Sequence, residues 1–263
     1  MLAAIVQNDP VFGKKSENIK NLFSLMEEKK ADIYVLPELA YTGYQFISKE
    51  ELFELSDTVD SDYVKRFKEK SKEEDCAIVF GFAEAGADGK IYNSSMLVTP
   101  EGDSIVYRKT HLFYKEKLLF SPGNSGFIAH EWRGLNIGLA ICFDWFFSES
   151  FRTLALMGAD IIAHCSNLVM PYCQTADYAR AIENRIYIAT CNRIGSEERD
   201  GEKLTFTGQS VLVSPKGDYL IKAPVDKTGI FVHEIDTTLS RNKQLNKFNH
   251  VLDDRREVFY GKY

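Results

Sequence analysis

The chain has 263 residues, 44% of them hydrophobic, and a formal net charge of -6 at pH 7. That length sustains one sizeable core and is short for two independent ones. The acidic balance, with no block of Lys or Arg beyond short pairs, lacks the electrostatic footprint of a nucleic-acid or anionic-membrane binder and leaves a small molecule as the partner to expect.

The chain opens on LAAIVQ at 2–7, an apolar run that predicts a buried strand. It has no basic leader and is too short for a signal peptide, and no later run approaches the length of a membrane span, so a cytoplasmic protein is expected. Ile19, Leu22, Phe23 and Met26 then recur at helical spacing. ADIYVLPE at 31–38 predicts a strand stopped by Pro37, the charged segment 60–75 a helix, and CAIVFGFAE at 76–84 the next strand. Two turn signals, ADGK and PEGD, follow between alternating strands and predict hairpins in a mixed sheet. The second half repeats the scheme, with strands at 134–142, 160–164, 186–193, 207–214 and 228–235 and helices near 148–157 and 175–185. SPKGDY at 214–219 echoes TPEGDS at 99–104, a strand followed by a P-x-G-D turn in each half. Two similar halves whose sheets pack face to face, with helices outside, make an α/β fold: a four-layer α-β-β-α sandwich with two mixed sheets, read as one domain over 1–263. The polar segment 237–263 either packs along that domain or reaches a second subunit.

Cys76, Cys142, Cys165, Cys173 and Cys191 form an odd set without a CxxC pair, which argues against both a disulfide framework and a thiolate metal site. The five histidines show no HxxxH or HxH spacing, so the sequence gives no positive sign of a zinc site, and the chemistry read below needs no metal and no other cofactor. His164 and Cys165 are neighbours on a strand, point to opposite faces and read as structural.

Three segments place a reactive residue directly after an apolar run: VLPELAYTGY at Glu38, IVYRKTHLF at Lys109 and LAICFDWFF at Cys142. Strand ends on one edge of a sheet converge, and a carboxylate, an ammonium and a thiol together supply a base, an oxyanion stabiliser and a nucleophile. Alone, each has a plainer reading. Glu38 would cap a turn, Lys109 would be a solvated loop cation, and Cys142 a small buried hydrophobe.

With their flanks, these three residues resemble the Glu-Lys-Cys triad of the nitrilase superfamily, the carbon-nitrogen hydrolases. The resemblance runs from AAIVQND through YNSSMLV, SPGNSGF, SNLVMPY, ARAIENRIY and FTGQSVLVSPKGD to the final DDRRE. It implies the αββα fold and homodimers or higher homo-oligomers built through helices beside the site and the C-terminal arm. It also implies that Glu38 takes the Cys142 proton, that the thiolate attacks an amide or nitrile carbon, and that Lys109 and the Phe143 backbone N–H stabilise the oxyanion. A second family glutamate, which holds the lysine and substrate, best matches Glu116; its plainer reading is a surface carboxylate between Lys115 and Lys117. Tyr44, Trp145, Phe146, Asn167 and Tyr172 are candidate pocket residues.

Two positions depart from the family pattern. Proline is usual where Ser148 stands, and the Ser148 hydroxyl is expected to cap the following helix in its place. Proline is also common at Cys165, whose thiol is either a second pocket group or a passive buried one. Asp144 reads as a support for the turn, His111 as a structural histidine, and Arg180, Glu183 and Arg185 as an ion network without a catalytic role. The leading functional reading is an amidase acting on a small linear amide. An aliphatic nitrilase or an N-carbamoyl amine hydrolase is the alternative within the class, and a non-catalytic binding scaffold or a thiol redox sensor the alternative outside it.

Overall fold

In the computed structural model, which describes residues 1–260, the first half of the chain forms β1 (Leu2–Gln7), α1 (Lys15–Glu27), β2 (Ile33–Val35), α2 (Lys49–Leu55), α3 (Asp62–Glu74), β3 (Ala77–Ala85), β4 (Ile91–Val98), β5 (Ser104–Arg108) and the short α4 (Glu116–Leu119). The second forms β6 (Ile128–Trp132), β7 (Leu135–Ile141), α5 (Ser148–Leu156), β8 (Ile161–Cys165), α6 (Cys173–Asn184), β9 (Tyr187–Cys191), β10 (Ser196–Arg199), β11 (Glu202–Thr205), β12 (Val211–Val213), β13 (Tyr219–Lys222), β14 (Gly229–Glu234) and α7 (Thr237–Arg241).

Two six-stranded sheets result, ordered β14-β1-β2-β3-β4-β5 and β13-β12-β9-β8-β7-β6, each with parallel central strands and antiparallel edges. The period of two along β1 explains how they stack. Ala3 and Ile5 join Leu139, Ile141, Ile161 and Ala163 between the sheets, whereas Ala4 and Val6 join Ile19, Leu22 and Met26 of α1 and Val64 and Phe67 of α3 outside the first sheet. Helices α5 and α6 cover the second sheet, against β7 and β9. The four-layer sandwich expected from the sequence is thus the observed architecture.

The echoed turns are structurally equivalent. Gly102 N–H donates to Thr99 O at 3.0 Å between β4 and β5, and Gly217 N–H to Ser214 O at 2.9 Å between β12 and β13, so each half closes its outer edge with the same hairpin.

Several boundaries differ from expectation, for local reasons. The strand expected over 31–38 is regular only over Ile33–Val35; Leu36 N–H still bonds Val79 O at 2.8 Å, and Pro37, which has no N–H to give, ends it. The strand expected over 207–214 pairs only over Val211–Val213, and the helix expected from 175 begins at Cys173. Cys142 lies just past β7, in a single turn of 3-10 helix over Cys142–Phe146. Ser148 does not cap α5: Phe147 occupies the cap position, and the serine hydroxyl, on the first helical residue, bonds Glu149 instead. Arg180 pairs with Glu183, but Arg185 leaves that network and donates to the Asn242 carbonyl. Helix α2 and the β10–β11 hairpin have no counterpart in the sequence reading. The segment from 237 contributes α7, and its last three residues, 261–263, lie outside the described residues. Among the described residues no helix is long and apolar enough to cross a membrane.

Candidate active site

Glu38 stands three residues past β2, where the chain turns across β3. The turn can approach because residue 81 is glycine: a Cβ there would lie 2.5 Å from Glu38 Cα and 2.6 Å from Leu39 N. Lys109 directly follows β5, and its N–H still bonds Asn93 O of β4 at 2.8 Å. Its ammonium is completely buried and bridges two carboxylates, Glu38 Oε1 at 2.6 Å and Glu116 Oε1 at 2.8 Å. Asn93 donates from Nδ2 to Glu38 Oε1 at 2.7 Å, and Tyr44 from its hydroxyl to Glu116 Oε1 at 2.8 Å. Glu116 Oε2 accepts the Phe113 N–H at 3.0 Å. Of the four oxygens of these two carboxylates, only Glu38 Oε2 is buried with no hydrogen-bond partner. Of the two readings of Glu116, the surface carboxylate is therefore excluded.

Cys142 arrives from the other sheet, so the three candidate groups converge across the sandwich and not along one sheet edge. Its backbone has φ 39°, in the left-handed region that costs a residue with a side chain about 1–2 kcal/mol. Buried Asp144 holds this turn. Its Oδ2 accepts the Ile141 N–H at 3.0 Å and the Tyr107 hydroxyl at 2.7 Å, and its Oδ1 accepts the His111 N–H at 3.2 Å and lies 2.7 Å from His111 Nδ1. His111 stacks on Phe147 at 3.9 Å between ring centroids. From below, His164 Nε2 lies 2.9 Å from the Cys142 carbonyl.

Burial dominates the electrostatics. It lifts the Glu38 carboxyl to about 7 against the pull of the Lys109 charge, with Glu116 adding to the rise. It also pushes the Cys142 thiol well up, again aided by Glu38 and opposed by Lys109. For Lys109 burial works against the charge, yet Glu116 and Glu38 hold its ammonium above the ordinary range. The group so formed is a buried thiol and a carboxylate of nearly neutral pKa beside a permanent cation. Such an arrangement can move a proton from sulfur to oxygen and meet a developing negative charge.

A cavity beside the thiol is lined by Phe113, Phe143, Trp145, Asn167, Leu168 and Met170. Trp145 and Asn167 line this cavity; the Asn167 Nδ2 donates to Glu38 O at 2.9 Å, while its Oδ1 is buried without a hydrogen-bond partner. Tyr44 faces the neighbouring hollow over Glu116. Phe146 and Tyr172 do not line the cavity; they are 53% and 61% exposed. Asn93, Tyr107 and Phe113 were missed. Asn93 and Tyr107 sit inside strands whose inward face is fixed only by sheet packing, and Phe113 enters through the turn that Glu116 closes. Cys165 is buried at the end of β8, where desolvation raises its thiol well above the ordinary value.

The structure also gathers His164, Cys173 and Asp177, whose ligand atoms lie within 4.8 Å of one another, a grouping that sequence spacing concealed. Both nitrogens of His164 are already engaged, with Thr190 and with the Cys142 carbonyl. The trio therefore fits a hydrogen-bonded cluster better than a set of free metal ligands.

Residues 2–243 match the family model for carbon-nitrogen hydrolases. The chain is 42% identical over 261 residues to the nitrilase of Pyrococcus abyssi (strain GE5 / Orsay), covering 98% of both chains. It is 36% identical to the (R)-stereoselective amidase of a Pseudomonas species over 88% of this chain and 82% of that protein. Among solved structures, a carbon-nitrogen hydrolase from Helicobacter pylori G27 superposes with a TM-score of 0.86 at 26% identity, over 99% of this chain and 96% of that one.

Proposed function

The chain belongs to the carbon-nitrogen hydrolases, and on that premise we propose that it hydrolyses a small linear amide to ammonia and a carboxylic acid through a thioester on Cys142. The observation that carries the reading is the Lys109 ammonium shared between Glu38 Oε1 and Glu116 Oε1, which leaves Glu38 Oε2 as the one free carboxylate oxygen. Lys109 and Glu116 fix the base, and Oε2 receives the proton.

In the first half-reaction Glu38 Oε2 takes the Cys142 proton as sulfur bonds the amide carbon. The carbonyl oxygen becomes an oxyanion beside Lys109 and the Phe143 N–H, donors worth about 3 kcal/mol each in comparable sites. Glu38 returns the proton to nitrogen, the C–N bond breaks, and ammonia leaves the thioester behind. In the second half-reaction Glu38 takes a proton from water, the hydroxide oxygen bonds the acyl carbon, and the C–S bond breaks. Cys142 recovers its proton as the acid departs. The aromatic and aliphatic lining of the cavity favours a compact, uncharged acyl group.

A nitrile substrate is the second reading, favoured by the 42% identity to a nitrilase. Ammonia release from paired short-chain amides and nitriles, measured with the protein and with Cys142→Ala, separates the two. Turnover surviving Cys142→Ala would overturn both, and mass spectrometry of a rapidly quenched reaction should find the acyl group on Cys142. We propose further that 1–263 acts as one hydrolase unit whose segment from 237 contacts a second copy of the chain. The exposed Leu245 and Phe248 support this, and sedimentation of the chain truncated after residue 236 tests it.

A further inference from the structure

Beneath the nucleophile turn runs a line of buried polar groups that the hydrolysis does not use. His164 of β8 lies 2.9 Å through Nε2 from the Cys142 carbonyl and 2.9 Å through Nδ1 from Thr190 Oγ1 of β9. That hydroxyl is 2.7 Å from Asp177 Oδ2 of α6. His164, Thr190 and Asp177 are fully buried.

The hydrogen positions follow from what each group can donate. A carbonyl oxygen only accepts, so Nε2 carries the hydrogen that faces Cys142. If the ring is neutral, Nδ1 is then a bare acceptor and takes the Thr190 proton. The threonine oxygen has only lone pairs left for Asp177, so Oδ2 must bring a proton of its own. If the ring is instead cationic, Thr190 donates to an ionised Asp177: the same proton, moved along the line. Full bonding therefore requires one proton more than an ionised Asp177 and a neutral His164 together hold. With that proton lost, one of the three contacts becomes lone pair against lone pair.

The surroundings decide where the proton rests. Burial depresses His164 to about 4 and lifts Asp177 to about 7, which favours the neutral ring and the carboxylic acid. Asp177 also faces the Cys173 thiol at 3.8 Å, Arg180 on its own helix and Tyr219 from β13. His164 faces Ser166 Oγ at 3.2 Å, the edge of the Phe151 ring, and the charges of Asp144 and Lys109.

We propose that Asp177 is a positioning residue for the nucleophile: carrying a proton, it acts through Thr190 and His164 on the Cys142 carbonyl and holds Cys142 in its left-handed turn. This rests on Cys142 being the nucleophile. The consequence is an alkaline loss of turnover that belongs to the relay and not to Glu38.

The test combines a pH–rate profile with nitrogen NMR of His164 in the full chain. In Asp177→Asn the carboxamide N–H donates to Thr190 at every pH, so the alkaline decline of kcat expected for the native protein should be absent while the acid limb stays in place. Thr190→Val should lower kcat on the order of tenfold with little change in KM, and Thr190→Ser should restore it. NMR should find a neutral His164 with hydrogen on Nε2. Superposable profiles for the native protein and Asp177→Asn, or hydrogen on Nδ1 with Ser166 serving Nε2, would overturn the relay. Should Thr190→Val fail to fold, the Asp177→Asn profile and the tautomer still decide. The tautomer is read without turnover, so a failure of the relay stays distinct from a failure of the nucleophile assignment, which Cys142→Ala reads.

Discussion

The Asn93 carboxamide donates to Glu38 Oε1 at 2.7 Å, on the same oxygen that receives Lys109, and so leaves the other carboxylate oxygen, Oε2, buried without a partner. Hydrogen bonds to charged groups are worth about 1.5–3 kcal/mol. Asn93→Ala should therefore cut kcat/KM by about ten- to a hundredfold. Because the bond favours the ionised carboxyl, its loss should also move the acid limb of the rate profile to higher pH. An unshifted limb would show that Asn93 supports only the fold.

The pH dependence follows from Glu38 itself. In the proposed mechanism acylation needs the carboxylate, and burial raises the carboxyl to about 7, so kcat/KM should decline as pH falls through about 7. An ordinary glutamate would hold activity down to about 4.3. Glu38→Gln should be nearly inactive and lose this limb, while free Cys142 still reacts slowly with a thiol reagent. A native profile flat from about pH 8 to 5 would contradict the buried-base assignment.

A third expectation concerns a group that touches no reacting atom. Glu197 on β10 is buried, pairs with the fully buried Arg193, and accepts the N–H groups of Tyr44 at 3.1 Å and Gln45 at 2.6 Å. It fixes the loop whose Tyr44 hydroxyl bonds Glu116. Removing one member of a buried pair typically costs about 3–5 kcal/mol, so Glu197→Ala should lower the denaturation free energy by that order and depress kcat in the folded fraction. Tyr44→Phe should reproduce the second effect without the first. Equal stability of Glu197→Ala and the native chain would mean that the pair contributes nothing net.

How far the site could be read in advance varies residue by residue. Glu38, Lys109 and Cys142 each close an apolar run, and a strand end is where a rigid sheet can present a reactive group, so periodicity located them. Glu116 follows no run; only its likeness to a family pattern singled it out, and its burial comes from Lys109 and Tyr44, distant in sequence. Asn93 and Asp177 lie within regular elements where inside and outside are decided by the partner layer. The β10–β11 hairpin carries no apolar run to announce it, and Glu197 on it is buried where it meets Arg193 and the Tyr44 loop.

The left-handed turn at Cys142 supports a last prediction, about stability alone. At φ 39° a Cβ crowds the backbone, at a cost of about 1–2 kcal/mol that glycine does not bear. Cys142→Ala keeps the Cβ and the strain, whereas Cys142→Gly releases the strain but gives up a buried carbon worth about 0.8 kcal/mol and gains chain entropy on unfolding. In a right-handed helix the glycine variant would be the less stable by about 1 kcal/mol. Here the two opposing effects should leave Cys142→Gly equal to Cys142→Ala or slightly above it in urea denaturation. A glycine deficit of a full helical size would mean that the turn is unstrained, and that the contacts from Asp144 and His164 merely accompany a relaxed conformation.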